Sequence, residues 1–94
     1  MSYARLVRFT CKPGDVAPAK AIAEDLAPVI REQPGADKVV VFGDSDGEGG
    51  LFVLWCCEDH ANAAATVIGP QLEQHLAGHT TAPRQARLFP VLSS

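Results

Sequence analysis

Hydrophobic positions along the chain keep two periods, and the places where one gives way to the other mark the elements. Tyr3 to Cys11 is an apolar, β-prone run closed by Lys12-Pro13-Gly14-Asp15, which predicts a strand, a turn and, at Asp15, a helix cap. From Val16 to about Arg31 the period lengthens: Ala19, Ile22, Ala23, Leu26 and Ile30 fall on one helical face. Pro28 lies off that face and lacks a backbone donor, so a kink or an early end is expected there. Gln33-Pro34-Gly35 stops the helix. Asp37 to Phe42 predicts a second strand, Gly43 to Gly50 a polar hairpin loop, and Leu51 to Cys57 a third strand. Asp59 is placed to cap a second helix carrying Ala64, Val67 and Ile68. Gly69-Pro70 is expected to break it, leaving a further helical piece with Leu72 and Leu76 that ends near Gly78. Arg84 to Leu92 is the last strand, and Pro90 within it predicts an edge position.

The order β-α-β-β-α-β over residues 1–94 predicts a single α+β domain. The expected form is a ferredoxin-like, four-stranded antiparallel sheet with both helices on one face, as right-handed crossovers require. A strand with one wet face alternates apolar and polar residues. Here Ala4 and Leu6 oppose Val7, Phe9 and Cys11, and Val39 and Val41 oppose Val40 and Phe42. In the third strand Phe52, Leu54 and Cys56 oppose Leu51, Val53, Trp55 and Cys57. Both faces are apolar, the helices cover one, and the other is too large an apolar patch to leave in water. A second copy of the same sheet is the expected cover, giving a homodimer through the helix-free sheet face.

Composition fits a globular domain and removes several classes of partner. The chain is 47% hydrophobic and 20% charged, with a net charge of −3 when its histidines are neutral. Neither nucleic acid nor an anionic membrane surface is therefore an expected partner. RNA-recognition domains share this element order and stack bases on aromatics of strands one and three. Phe52, Val53 and Trp55 echo the tail of their third-strand motif, but Glu48 stands where a Lys or Arg belongs and the first-strand motif is absent. Arg5 and Arg8 interrupt the first apolar run, so no signal peptide is expected, and no apolar run is long enough to span a bilayer. Three cysteines, two of them adjacent, do not make a disulfide framework, and reduced thiols in a cytoplasmic protein are expected.

Four features then follow one another in order: Arg8-Phe9 leading to Lys12-Pro13-Gly14, Gln33-Pro34-Gly35 before the second strand, a β-hairpin ending near Trp55, and Gly69-Pro70 in the second helix. Their order and spacing resemble the dimeric α/β-barrel superfamily, and within it the antibiotic-biosynthesis-monooxygenase-like group. The resemblance covers nearly the whole chain. It implies two sheets back to back across a dimer, with a cavity between sheet and helices in each subunit. Members of the group include cofactor-independent oxygenases acting on polycyclic aromatic substrates, and haem-degrading enzymes. Gln71 stands where many relatives have the histidine of a Ser-Pro-His segment, and Cys56 stands near where many have a glutamate. Of the Asn, Trp and His used by haem-degrading members, only the Trp has a counterpart, Trp55. The resemblance implies a cofactor-independent monooxygenase-like protein acting on a small aromatic or enolic compound. The alternative is a non-catalytic dimeric small-molecule-binding or structural module of the same fold.

The candidate pocket-lining residues are Trp55, Arg5, Arg8 and His60. Trp55, the single tryptophan, can stack on a flat ligand or simply pack in the core. Arg5 and Arg8 lie in a strand expected to be central and point to opposite faces, so one must enter the cavity or the dimer interface. There it needs a carboxylate, a carbonyl or a ligand anion; gripping an acidic or enolic oxygen competes with an intersubunit salt bridge. Arg84 and Arg87 pose the same question on the edge strand. His60 is a candidate general base at the cavity mouth. No metal site is expected. His75 and His79 are four apart but lack a third ligand and have Gly78 between them. Cys56 and Cys57, adjacent on a strand, should point to opposite faces and be buried and inert. The Asp44-Ser45-Asp46-Gly47-Glu48-Gly49 segment opens like a calcium loop but has Trp55 where the bidentate Glu is required, so it reads as a solvated hairpin. With no haem or flavin motif either, no cofactor is expected.

Overall fold

Strands and helices alternate as the two periods predict. The computed structural model describes residues 1–93. Strands β1 (Tyr3–Thr10), β2 (Ala36–Gly43), β3 (Glu48–Trp55) and β4 (Gln85–Pro90) form one antiparallel sheet in the order β2-β3-β1-β4. The two central strands pair from Tyr3↔Trp55 to Thr10↔Glu48. β4 is an edge, and Pro90 closes it opposite Tyr3, where a missing backbone donor costs little.

The first helical arm has three consecutive pieces: α1 (Ala17–Ala21), a π-helical turn (Ile22–Leu26) and α2 (Ala27–Arg31). The expected disturbance at Pro28 takes this form. A proline ring crowds the carbonyl four residues back, and the wider π turn, closed by Ala27 N–H donating to the Ile22 carbonyl, gives it room. Ile22, Leu26 and Ile30 are fully buried, whereas Ala23, expected on the same stripe, is exposed. Asp15 does not cap the arm: its first turn starts from Val16 with no side-chain cap bond. Asp15 instead accepts a hydrogen bond from His79 Nδ1 at 3.0 Å.

The second helix departs from expectation. α3 (Glu58–Leu76) is one unbroken helix with Pro70 inside it. A proline in a helix interior costs roughly 3 kcal/mol. Against that, Leu72 and Leu76 beyond it are buried with Ala61, Ala64 and Ile68 as one continuous stripe. Burying two leucines is worth about 3–6 kcal/mol, enough to carry the helix through. Asp59 is not the cap either; Cys57 holds that position in an extended conformation, and Glu58 and Asp59 sit in the first turn, where the helix dipole favours them.

β3 begins three residues earlier than the polar loop suggested. Glu48, Gly49 and Gly50 are strand because two rings lie over the glycines. A Cβ on Gly49 would sit 2.7 Å from the Phe9 ring, and one on Gly50 would sit 2.6 Å from the Phe42 ring and strike the Val7 carbonyl. The hairpin turn is made by Asp44, whose Oδ1 accepts from the backbone of Asp46 at 2.9 Å and Glu48 at 3.2 Å. Asp44 is thus engaged in its own turn.

The core lies on the helix side of the sheet. Val7, Phe9 and Cys11 from β1 and its exit, and Leu51, Val53 and Trp55 from β3, are buried against the first helical arm and α3. The alternate positions face away from the helices. Leu6, Phe52 and Leu54 are half-buried there, and Val40, Phe42 and Phe89 are exposed at 40%, 41% and 37%. No helix among the described residues is long and apolar enough to cross a membrane.

Candidate functional site

A cavity of about 200 Å³ opens between α3 and the helix-side face of β1, β3 and β4. Strand alternation places Arg5 and Val7 from β1 and Leu51, Val53 and Trp55 from β3 on its floor. α3 supplies the roof with Ala61, Ala65, Ile68, Gly69 and Leu72, and Arg84 and Ala86 close the β4 side. Small residues at Ala61, Ala65 and Gly69 recur at helical spacing, and nothing lies within 4 Å of where a Gly69 Cβ would stand. The space exists because that face of α3 is lined by short side chains.

The polar groups of the cavity are few and positive. Arg5 and Arg84 line it, and among the described residues no carboxylate or imidazole lines it with them. Arg5 Nη2 donates to Asn62 Oδ1 on α3 at 3.3 Å, which tethers the guanidinium at the rim without neutralising it. Trp55 is 2% exposed, and among the described residues its buried Nε1 has no hydrogen-bond partner, where a buried indole donor ordinarily finds an acceptor.

Of the four residues singled out from the sequence, the structure brings Trp55 and Arg5 together on the cavity and takes Arg8 and His60 elsewhere. Arg8 faces the helix-free side, where its Nη2 lies 3.9 Å from Glu48 Oε2. Glu48 in turn accepts from Thr10 Oγ1 at 3.1 Å. Arg87 is on that side too, its guanidinium 4.8 Å from the Phe89 ring centre. His60 does not line the cavity. It is exposed, with Nδ1 3.0 Å from Cys56 Sγ and 3.4 Å from Cys57 Sγ.

That contact corrects the expectation for the two cysteines. Their sulfurs are 3.7 Å apart, on one side of the chain, and Cys56 is exposed. Alternation holds only inside a strand, and β3 ends at Trp55, so the next two residues are free to turn together into α3. The neighbouring Cys57 thiol, with some loss of solvent and the charge of Asp37, holds the Cys56 thiol above its ordinary pKa. Cys11 is the buried thiol; desolvation, then the charges of Asp15 and Glu48, raise its pKa. Sequence reasoning missed Asn62 altogether; an exposed polar residue on a helix gives no signal until the strand opposite it is known.

No protein-family model matches the sequence, and no curated protein matches it. Solved structures do match the fold. One is NE2512, a protein of unknown function from Nitrosomonas europaea, at a TM-score of 0.84 and 19% identity, covering 99% of this chain and 91% of that one. Another is SnoaB, a cofactor-independent oxygenase from Streptomyces nogalater, at 0.78 and 20% identity, covering 99% of this chain and 95% of that one. A third is an antibiotic biosynthesis monooxygenase, at 0.72 and 13% identity, covering 97% and 99%. The ferredoxin-like sheet and these superpositions agree: the chain has the fold of the antibiotic-biosynthesis-monooxygenase-like proteins.

Proposed function

We propose that the chain is a cofactor-independent monooxygenase-like protein whose cavity takes a small aromatic or enolic compound as its oxygen anion. The observation that carries this reading is the pairing of Arg5 and Arg84 on an otherwise apolar wall. The apolar surfaces suit a flat ring, and a guanidinium donates charge-assisted hydrogen bonds to an oxygen anion. A cation beside the ligand oxygen favours the ionised phenol or enol, an effect that solvent tempers at the rim, where Arg5 is half-buried and Arg84 exposed. Among the described residues no carboxylate or imidazole lines the cavity to take the proton, so it passes to water. The volume lies below the about 300–1,000 Å³ of drug-sized sites, which restricts the occupant to a small molecule.

An ionised anthrone or hydroquinone is electron-rich and can reduce oxygen itself. For an anthrone, the ring CH2 becomes a carbonyl: four electrons leave that carbon, one oxygen atom is retained, and the other departs as water. The substrate and O2 thus balance the reaction without flavin or metal. The description of SnoaB as a cofactor-independent oxygenase supports this reading. The exposed Val40, Phe42 and Phe89 support a homodimer through the helix-free face, with the Arg8–Glu48 pair at its margin.

The lack of a base in the cavity favours a second reading, a dimeric binding module that holds such a compound without turning it over. Oxygen uptake with anthrones and hydroquinones, with no cofactor added, separates the two. The first reading expects one O2 consumed per anthrone and loss of uptake in Arg5→Met and Arg84→Met. Saturable binding without uptake establishes the module, and neither binding nor uptake rejects both.

A further inference from the structure

We propose that Cys56, Cys57 and His60 form a binding site for a divalent, thiophilic cation of the zinc class, separate from the Arg5–Arg84 cavity. The three ligand atoms lie within 4.8 Å of one another at the junction of β3 and α3. A tetrahedral zinc with bonds of about 2.3 Å to sulfur and about 2.0–2.1 Å to nitrogen requires S···S edges of about 3.8 Å and S···N edges of about 3.5 Å. The observed edges are 3.7 Å between the sulfurs and 3.0 and 3.4 Å from the sulfurs to His60 Nδ1. Three corners of a coordination tetrahedron are therefore already in place to within about half an ångström.

Local folding produces this arrangement. The Cys56 N–H donates to the Gly35 carbonyl at 2.9 Å, which fixes the end of the strand. Cys57 is extended at the head of α3, and His60, three residues on, comes back over both sulfurs. The wall behind them is bare backbone: a Cβ at Gly35 would sit 2.7 Å from His60 Nδ1 and 2.8 Å from Cys56 Sγ. Gly35 is also at φ +83, which favours glycine independently. Next to it, β2 carries an irregularity between Ala36 and Lys38 that leaves Asp37 outside the ladder, and the Asp37 carboxylate acts electrostatically on Cys56.

Two soft sulfurs and an imidazole select zinc over calcium or magnesium, which require oxygen ligands. Binding is an exchange of charge without electron transfer: each thiol gives up a proton, so two protons leave as one divalent cation enters, and the loaded cluster is neutral. The helix N-terminus opposes a cation, but its half-charge is smaller than the two thiolate charges. The fourth corner falls to water, the pattern of sites that keep an exchangeable position.

The test is titration of the reduced full chain with Co2+, followed by Zn2+ competition. The expected result is one equivalent of Co2+ with sulfur-to-metal absorption in the near ultraviolet and tetrahedral bands in the visible, displaced by one Zn2+ with release of two protons per Zn2+ bound to the metal-free chain. Losing even an outer-shell partner typically weakens a metal site about 10–100-fold. Cys56→Ser, Cys57→Ser and His60→Gln should each weaken binding at least that much, with circular dichroism unchanged and the metal-free unfolding midpoint not lowered; Cys57→Ser, at the cap of α3, should if anything raise it. His75→Gln and His79→Gln should leave it as it was. Absence of saturable one-equivalent binding, or equal binding by the Cys56→Ser/Cys57→Ser double variant, overturns the proposal.

Discussion

Trp55 combines two roles that the sequence set against each other. It is buried to 2% exposure and pairs with Tyr3 on β1 and Ala36 on β2, yet it borders the cavity, and among the described residues its Nε1 has no partner. Trp55→Phe removes contacts on all sides, so a stability loss of about 1–3 kcal/mol is expected in denaturant unfolding. Because Nε1 is buried and phenylalanine keeps an aromatic face on the cavity, flat ligands should bind to the same variant much as before in equilibrium titration. In the unsubstituted chain, emission from this single tryptophan should be blue-shifted and quenched saturably by a flat ligand. An indifferent signal would assign the ring to packing alone. The opposition of Arg5 and Arg8 was legible from their spacing. Which of them meets the helices was not, because both faces of β1 are apolar and only the packing of α3 over Val7 and Val53 fixes the phase.

At the scale of elements, periodicity located every strand and helix, and its errors came where a local signal met a longer-range demand. Gly69-Pro70 reads as a stop, but the stripe from Ala61 to Leu76 continues through it. Glu48-Gly49-Gly50 reads as loop, but the rings of Phe9 and Phe42 need glycine beneath them. Cys57 reads as strand, but the ladder ends at Trp55. The proline gives a direct check. Pro70 is exposed, so Pro70→Ala restores a helix hydrogen bond without disturbing the core. A gain of about 1–3 kcal/mol is expected in chemical unfolding, with unchanged ligand binding. A loss would mean that the proline shapes the helix over the cavity, in which case binding should fall with it.

For the whole molecule the decisive feature is the uneven cover of the sheet. Helices bury the centre of one face and leave a cavity beside it; the other face shows Val40, Phe42 and Phe89 to solvent beside half-buried Leu6, Phe52 and Leu54. Sedimentation at micromolar concentration should give twice the chain mass. Val40→Glu, on the edge strand β2 and 40% exposed, should shift the chain to its single mass with secondary structure intact. A compact single-mass species in the unsubstituted chain would leave that face unexplained and the dimer rejected. The sequence made this asymmetry visible by counting faces against helices. The cavity between sheet and helices was implied only by the resemblance; the residues that make room for it, Ala61, Ala65 and Gly69, carry no signal of their own in the sequence.

The strict alternation of β1 and β3 has a consequence for how such a chain can change over generations. Odd-numbered residues of both strands serve the cavity or the core beneath the helices, and even-numbered residues serve the opposite face. A point mutation in either strand therefore reaches one surface and spares the other, and ligand preference and self-association can drift separately. An insertion or deletion of one residue has no such selectivity. It would exchange the parity of everything beyond it, sending Arg8 under the helices and Val7 out of them in a single event. Among descendants of this fold, β1 and β3 should thus accumulate substitutions freely and length changes hardly at all.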